Sequence, residues 1–429
     1  MRRIFLAFVA VSITAHAQPP SVALMKYACG PASRMFATLS PTSRFTVGTA
    51  GFDLMASPEI TGKSCTSDQP FFFSLPISEG NYRITVVLGG PQSSITTVRA
   101  EGRRLMLEKI PTQPNASVTR SFDTNVRYPE INGNPHNLVQ LKDREEGILD
   151  WDHKLTLEFN GDYPSVRSIS IEPIPNETTI YLAGDSTVID QASEPWASWG
   201  QMLPRFFLPG VVIANHAESG ETTRGFVNEK RFAKIMSVIK PGDYLFVQFA
   251  HNDMKPKAVP LHEYKKLLVD YIAQTRAKGA TPVLVTAVNR RTFDDAGHIT
   301  NSFGAYPDAM REVAAKQKVI LIDLNAMSKT LFETLGPEGS IKAFMHYPAN
   351  AFANQPQAIN DDTHFNSYGA YELARCIVHG VRESNLPIAK LLDPAVPDFN
   401  PAHPDPQPEF NLPATPILLK SDPTKVGQN

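Results

Sequence analysis

Four short blocks carry residue types that could do covalent chemistry together. Gly184-Asp185-Ser186-Thr187 offers a hydroxyl at Ser186, and Asp361-Asp362-Thr363-His364 offers a base with a carboxylate three residues before it. A serine becomes a useful nucleophile only when a base takes its proton and a third group orients that base. Asp361 has the spacing to fold back in a turn and accept from His364 Nδ1–H, which leaves Nε2 for the serine. Asp362 is expected to point elsewhere, as a cap or turn residue. A tetrahedral oxyanion would also need donors. Gly220, in Asn215-His216-Ala217-Glu218-Ser219-Gly220-Glu221-Thr222, lets a backbone N–H approach without a Cβ. Asn252, in Phe249-Ala250-His251-Asn252-Asp253, brings a side-chain amide, and the N–H of Ser186 itself is the third donor.

Each of these residues alone reads as a turn, a cap or a helix start. Their order along the chain, and the elements that must hold them, change that reading. Beyond Pro173-Ile174-Pro175-Asn176, continuous apolar runs alternate with amphipathic ones. Strands are expected at Thr179 to Ala183, Val211 to Ala214, Tyr244 to Phe249, Pro282 to Ala287 and Val319 to Ile322. A helix is expected over His262 to Arg276, with Tyr264, Leu267/Leu268, Tyr271/Ile272 and Thr275 on one face. A closing helix follows at 366–384, capped by Asn366 or Ser367. This grammar predicts an α/β fold: a flavodoxin-like, three-layer parallel sheet with helices on both faces. The four blocks then fall at the carboxyl ends of strands, where such sheets bind ligands. Ser186 is expected at the mouth, beside a helix N-terminus. The chain lacks a G-x-S-x-G elbow, which argues against an α/β-hydrolase.

Residues 18–175 read differently. Short runs such as Phe71 to Leu75, Tyr82 to Leu88, Ser94 to Val98, Leu155 to Phe159 and Val166 to Ile171 lie between Gly, Pro and Asn turns. They predict an all-β sandwich or jelly roll preceding the catalytic unit at 176–390. From 391 to 429 prolines are dense and apolar periodicity stops, so an extended tail is expected. Residues 1–17 read as a signal peptide: Arg2 and Arg3, an apolar Ile4 to Ile13, and Ala15-His16-Ala17, with cleavage after Ala17. The protein is therefore expected to be secreted or periplasmic. In such a compartment Cys29 and Cys65 could pair; three free buried thiols are the alternative, with Cys376 a small buried hydrophobe in either case. The 429 residues carry 41 basic and 43 acidic side chains, a net charge of −2 with no basic block, which excludes a nucleic-acid footprint. No apolar run of 18 follows the N-terminus, so no membrane span is expected. No Cys/His cluster has zinc spacing.

Ser186, Gly220, Asn252 and His364, in that order, resemble the four signature residues of the SGNH (GDSL) hydrolase superfamily, with Asp361 completing a triad. The resemblance covers about Thr178 to Ser384. Tyr181-Leu182-Ala183-Gly184-Asp185-Ser186-Thr187, Asn215-His216-Ala217, His251-Asn252-Asp253 and Asp361-x-Thr363-His364 are similar to rhamnogalacturonan acetylesterases, carbohydrate esterase family 12. The β-rich part resembles a galactose-binding-like module. Two departures stand out. Ala250 replaces the usual Gly before His-Asn-Asp. Glu221 stands where Gly-Arg-Ser usually has its cation, which weakens the case for an acidic pectic substrate.

The resemblance implies a secreted serine esterase that removes O-acetyl groups from a plant cell-wall polysaccharide, rhamnogalacturonan or pectin. Its partner is that acetylated polymer, and no metal or organic cofactor is implied. The alternatives are another SGNH esterase (xylan acetylesterase, lipase or acyl-thioesterase) and a non-catalytic carbohydrate-binding protein. Around the triad, His216 and His251 are expected to support it through hydrogen bonds. Trp196 and Trp199 read as sugar-stacking or core residues, Arg224 as a loop anchor, and Lys255 and Lys257 as solvated loop residues, with contact to a uronate as the alternative. The β-rich part supplies no triad residue and is expected to matter for polymers, not for small esters.

Overall fold

The computed structural model describes residues 24–30, 34–352 and 355–416; the expected leader with its expected cleavage after Ala17, and the end of the expected tail, lie outside them. The first half packs two β-sheets face to face. One has the strand path Val118–Val126, Gly80–Leu88, Ser165–Pro173, Met25–Cys29 and Ala37–Leu39, with Ser64–Thr66 and Glu59–Thr61 attached at Ser165–Pro173. The other runs Gly51–Asp53, Phe71–Pro76, Lys154–Asp162, Ser94–Ala100 and Arg104–Thr112. Alternation drives the arrangement. In Gly80–Leu88, residues Tyr82, Ile84, Val86 and Leu88 are buried while their neighbours are not, and they meet Phe71, Phe73, Leu75, Leu157 and Phe159 from the other sheet. Cys29 and Cys65 are joined by a disulfide, which links the Met25–Cys29 and Ser64–Thr66 strands. Cys376 is a free, buried thiol.

The second half is a five-stranded parallel sheet. In chain order its strands are Thr178–Gly184, Val211–Asn215, Tyr244–Gln248, Thr281–Val285 and Ile320–Ile322, and in space the second lies outside the first, giving the order 2-1-3-4-5. That is the flavodoxin-like order. Successive residues face opposite layers. Ile180, Leu182 and Phe246 join a core with Trp199 and the closing helix Ser367–Glu383. Tyr181, Ala183, Leu245 and Val247 join another with Tyr264, Leu268, Tyr271 and Ile272 of the helix Leu261–Ala277. The closing helix is capped by Asn366, whose side chain accepts from Gly369 N–H.

Hydrogen bonds and buried charges join the two halves. Asn81 donates to Thr179 Oγ1 at 2.8 Å, Asp123 accepts from Gly210 N–H at 2.7 Å, and Arg104 meets Asp190 at 3.0 Å. From Leu392 to Pro416 the chain is irregular, with turns closed by Val396 N–H on Asp393 O and His403 N–H on Asn400 O and a short 3-10 turn at Gln407–Glu409, yet it packs across both halves. Phe399 is buried, Tyr368 donates to Asp405 O at 2.7 Å, and Thr415 donates to Glu158 at 2.8 Å. Among the described residues no helix is long and apolar enough to cross a membrane.

Candidate active site

Ser186 stands two residues past the first parallel strand. Asp185, completely buried, accepts from Thr187 N–H at 3.0 Å and Thr187 Oγ1–H at 2.8 Å, while Val188 and Ile189 N–H donate to its carbonyl. This side-chain-stabilised turn occupies the place where a helix N-terminus was expected. The Asp185 carboxylate satisfies backbone donors in a non-helical geometry, and the next helix begins only at Trp199. The turn is tight: a Cβ on Gly184 would meet Val188 Cγ2 at 2.5 Å. Ser186 is only 4% exposed.

His364 and Asp361 lie in the strand Ile359–Phe365, paired with Phe344–Tyr347. Met345 pairs with Asp361 but Phe344 pairs with Phe365, so three extra residues, 362–364, bulge from the ladder. The bulge turns the imidazole toward Ser186. His364 Nδ1 lies 2.7 Å from Asp361 Oδ2, and Nε2 lies 2.9 Å from Ser186 Oγ. Asp361 Oδ1 accepts from the N–H groups of Thr363 and His364 at 2.7 and 3.0 Å. Burial opposes the Asp361 charge, but the His364 contact and these N–H bonds hold its carboxyl below the ordinary range. Asp362 faces away and accepts from His346 at 2.8 Å and Arg291 at 3.0 Å.

The expected oxyanion donors lie past the next two strand ends. Gly220 has φ of +79°, and neither its N–H nor that of Ser186 has a partner among the described residues. Asn252, 5% exposed, spends one amide hydrogen on Glu221 O at 3.0 Å, which ties its loop to that of Gly220 and leaves the other hydrogen free. Asp253 strengthens the tie by accepting from Thr223 N–H and Oγ1–H at 2.8 and 2.6 Å. Ala250, at φ of +152°, occupies backbone space that favours glycine.

His216 is held by packing, with its Nδ1 unpartnered, while the His251 ring keeps a polar contact to the backbone of Val288 beside its packing contact. His216 packs on Trp151 and Tyr181, and His251 packs edge-on against Phe303. Burial pushes both imidazoles well below the ordinary histidine range, so they are neutral packing groups. Trp199 belongs to the core and donates to Gln248 at 2.9 Å, and Trp196 is 8% exposed; neither offers a face to a sugar. Arg224 anchors its loop through both oxygens of Glu263, at 2.7 and 2.5 Å. Lys257 is exposed.

Three cations escaped the sequence reading. Lys142 and Arg144, from the first half, reach the Gly220 loop: Lys142 pairs with Glu221, and Arg144 with Glu218 at 2.8 Å. Glu221 is 1% exposed and so presents no negative charge at the surface. Arg290 donates to His251 O at 3.2 Å, next to Asn252, and lies over Phe303. No periodicity marks these positions. The run Lys142-Asp143-Arg144-Glu145-Glu146 has the composition of a solvated face. Among the described residues no group of three or more His, Cys, Asp or Glu side chains is placed to hold a metal ion.

The sequence pattern of the GDSL-like Lipase/Acylhydrolase family matches residues 182–371, a span that holds Ser186, Gly220, Asn252, Asp361 and His364. Over 212 residues the chain is 43% identical to the rhamnogalacturonan acetylesterase RhgT of Bacillus subtilis (strain 168), covering 49% of this chain and 91% of that one. The chain belongs to the GDSL-like lipase/acylhydrolase family. It is a carboxylic ester hydrolase. This hydrolase is also 38% identical over 217 residues to the probable rhamnogalacturonan acetylesterase YesY of the same organism, covering 49% of this chain and 95% of that one. Among solved structures it is similar to the crystal structure of the Bacillus subtilis protein YxiM, with 25% identity and a TM-score of 0.47 over 85% of this chain and 99% of that chain.

Proposed function

We propose that this hydrolase is an exported serine acetylesterase that removes O-acetyl groups from a plant cell-wall polysaccharide, rhamnogalacturonan in pectin. The observation that carries the reading is the 2.9 Å approach of His364 Nε2 to Ser186 Oγ, in a chain 43% identical to a protein named rhamnogalacturonan acetylesterase. His364 takes the Ser186 proton, and Oγ bonds to the acetyl carbonyl carbon. The N–H groups of Ser186 and Gly220 and the free amide hydrogen of Asn252 receive the oxyanion. The C–O bond to the sugar breaks, and His364 returns the proton to the departing sugar oxygen. A water, deprotonated by His364, then attacks the acyl-enzyme and releases acetate. Asp361 keeps the imidazole in the tautomer this needs.

Two features support an acidic backbone as substrate. The Glu221 carboxylate, which had argued against one, is buried and paired with Lys142. Arg290 and Lys255 are half-buried beside the Asn252 loop and have no carboxylate partner among the described residues. A galacturonate carboxylate would supply one. Export is supported by the leader-like residues 1–17 and by the Cys29–Cys65 disulfide, a bond typical of oxidising compartments. We assign residues 18–175 to a β-sandwich module, 176–390 to the catalytic unit and 391–429 to the tail.

Acetate release from acetylated rhamnogalacturonan, homogalacturonan, xylan and mannan, with Ser186→Ala as control, tests the reading. The highest kcat/KM is expected on acetylated rhamnogalacturonan. A preference for xylan would move the substrate assignment, and release undiminished in Ser186→Ala would end the serine mechanism.

A further inference from the structure

Gly220 serves as an oxyanion donor only while its N–H faces Ser186, and glycine makes that orientation easy to lose. The Ser219–Gly220 peptide is one rigid plane. It can flip by compensating rotations about Ser219 ψ and Gly220 φ, which a residue without Cβ scarcely resists. A flip would swap the N–H for the carbonyl and place a negative dipole where the oxyanion forms.

The carbonyl of that same plane is held from behind. Ser219 O accepts from Lys142 Nζ at 2.8 Å and also from Arg144 Nη2. In a trans peptide the C=O and N–H point in opposite directions, so gripping the oxygen aims the N–H the other way. Each cation is anchored again beside the loop, Lys142 on Glu221 and Arg144 on Glu218. The turn that carries them, around Asp143–Glu145, is itself seated. Glu145 accepts from Lys142 N–H at 2.9 Å and Trp151 Nε1 at 3.1 Å and pairs with the fully buried Arg231, while Gln140 N–H donates to Glu229 O. A carbonyl that accepts charge-assisted bonds also makes its N–H a stronger donor, through polarisation of the amide.

We propose that Lys142 and Arg144 are positioning residues for the oxyanion hole, by which the β-rich half holds and polarises the Ser219–Gly220 peptide. They touch no substrate. Their effect belongs to the transition state, since the oxyanion is absent from the ground-state ester. The proposal rests on the serine-esterase reading above.

The test uses the full-length chain and p-nitrophenyl acetate, a substrate too small to meet the first half. Arg144→Met and Lys142→Met each leave a buried glutamate unpaired. The double variants Arg144→Met with Glu218→Gln and Lys142→Met with Glu221→Gln remove donor and charge together. All are assayed well below their melting temperatures, with rates normalised to the folded fraction from near-UV circular dichroism. Loss of one oxyanion donor costs about 10²–10³ in kcat, so loss of its alignment should cost about 10- to 100-fold in kcat with KM changed less than about threefold. Arg144→Lys should recover part of the rate lost in Arg144→Met, because it restores a charged donor at that position. Wild-type kcat in both double variants, a loss confined to KM, or no recovery in Arg144→Lys would overturn the proposal. If instead Ser186→Ala retained wild-type turnover, the esterase reading would be at fault and not the clamp.

Discussion

On one side of Ser186 the hydrogen-bonded His364–Asp361 pair lies within four consecutive residues, Asp361 to His364, and a bulge in one hairpin presents it. On the other side, the peptide bearing the Gly220 N–H is gripped by Lys142 and Arg144, 77 and 75 residues away from Ser219 in the sequence. The first wall is local and needs only its own strand. The second is assembled across the junction of the two halves, from half-buried cations of one and buried glutamates of the other. A catalytic group can be aimed by its immediate neighbours when its partner is a side chain. The Ser186 N–H is likewise set by its own Asp185 turn, whereas the Ser219–Gly220 peptide is held through its carbonyl by side chains from the other half.

The largest effects are expected at the local wall. Ser186→Ala and His364→Ala should each lower kcat by about 10⁵–10⁶, and the double variant should lose hardly more, because the residues act as a unit. Steady-state acetate release measures this, and losses that add in log rate would break the assignment. Asp361→Asn should cost about 10⁴ in kcat by leaving the imidazole in the wrong tautomer. Asp362→Asn should leave kcat within a few-fold, since that side chain faces His346 and Arg291. Comparable losses at the two neighbours would mean that the bulge, not the Asp361 carboxylate, matters.

At the assembled wall the expected effects are smaller. Asn252→Ala should lower kcat by about 10²–10³ with little change in KM; a variant altered mainly in KM would make Asn252 a ground-state sugar ligand. The Lys142 and Arg144 variants should follow at about 10- to 100-fold in kcat, as alignment is a fraction of a donor's worth. The smallest effect concerns Ala250. Relief of its φ of +152° should be worth about 1–3 kcal/mol, against about 0.8 kcal/mol for the buried methyl lost. Ala250→Gly should therefore raise the melting temperature by a few degrees and leave kcat unchanged. A lower melting temperature would show that the methyl's packing against Ala287 and Phe303 outweighs the strain.

The same comparison changes what removal of the first half would do. From the sequence, that half was expected to matter only for polymers. In the structure it covers Glu218 and Glu221 with cations, pairs Arg231 with Glu145 and faces Asp190 with Arg104. A chain starting near Asn176 would expose these groups unpaired at the edge of the catalytic sheet, and small-ester turnover should fall with them.

What the sequence determined by itself was whatever depends on short-range periodicity and local spacing. Apolar runs alternating with amphipathic ones settled the parallel sheet, because a strand buried on both faces must be apolar throughout. The spacing of Asp361 and His364 settled their hydrogen bond, because three residues suffice to close it. Asp185 shows the limit even of local reading: the same carboxylate that identifies the Ser186 block replaces the expected helix start with a turn. Tertiary structure alone decided the rest. It turned Glu221 from an objection to an acidic substrate into the buried partner of Lys142. It made His216 and His251 neutral groups by burying them. It drew a charge-rich run of ordinary solvent-facing composition, 142–146, against the Gly220 loop. A charged side chain carries no mark in the sequence of whether water or a buried carbonyl will receive it; that is decided by which surfaces the fold brings together.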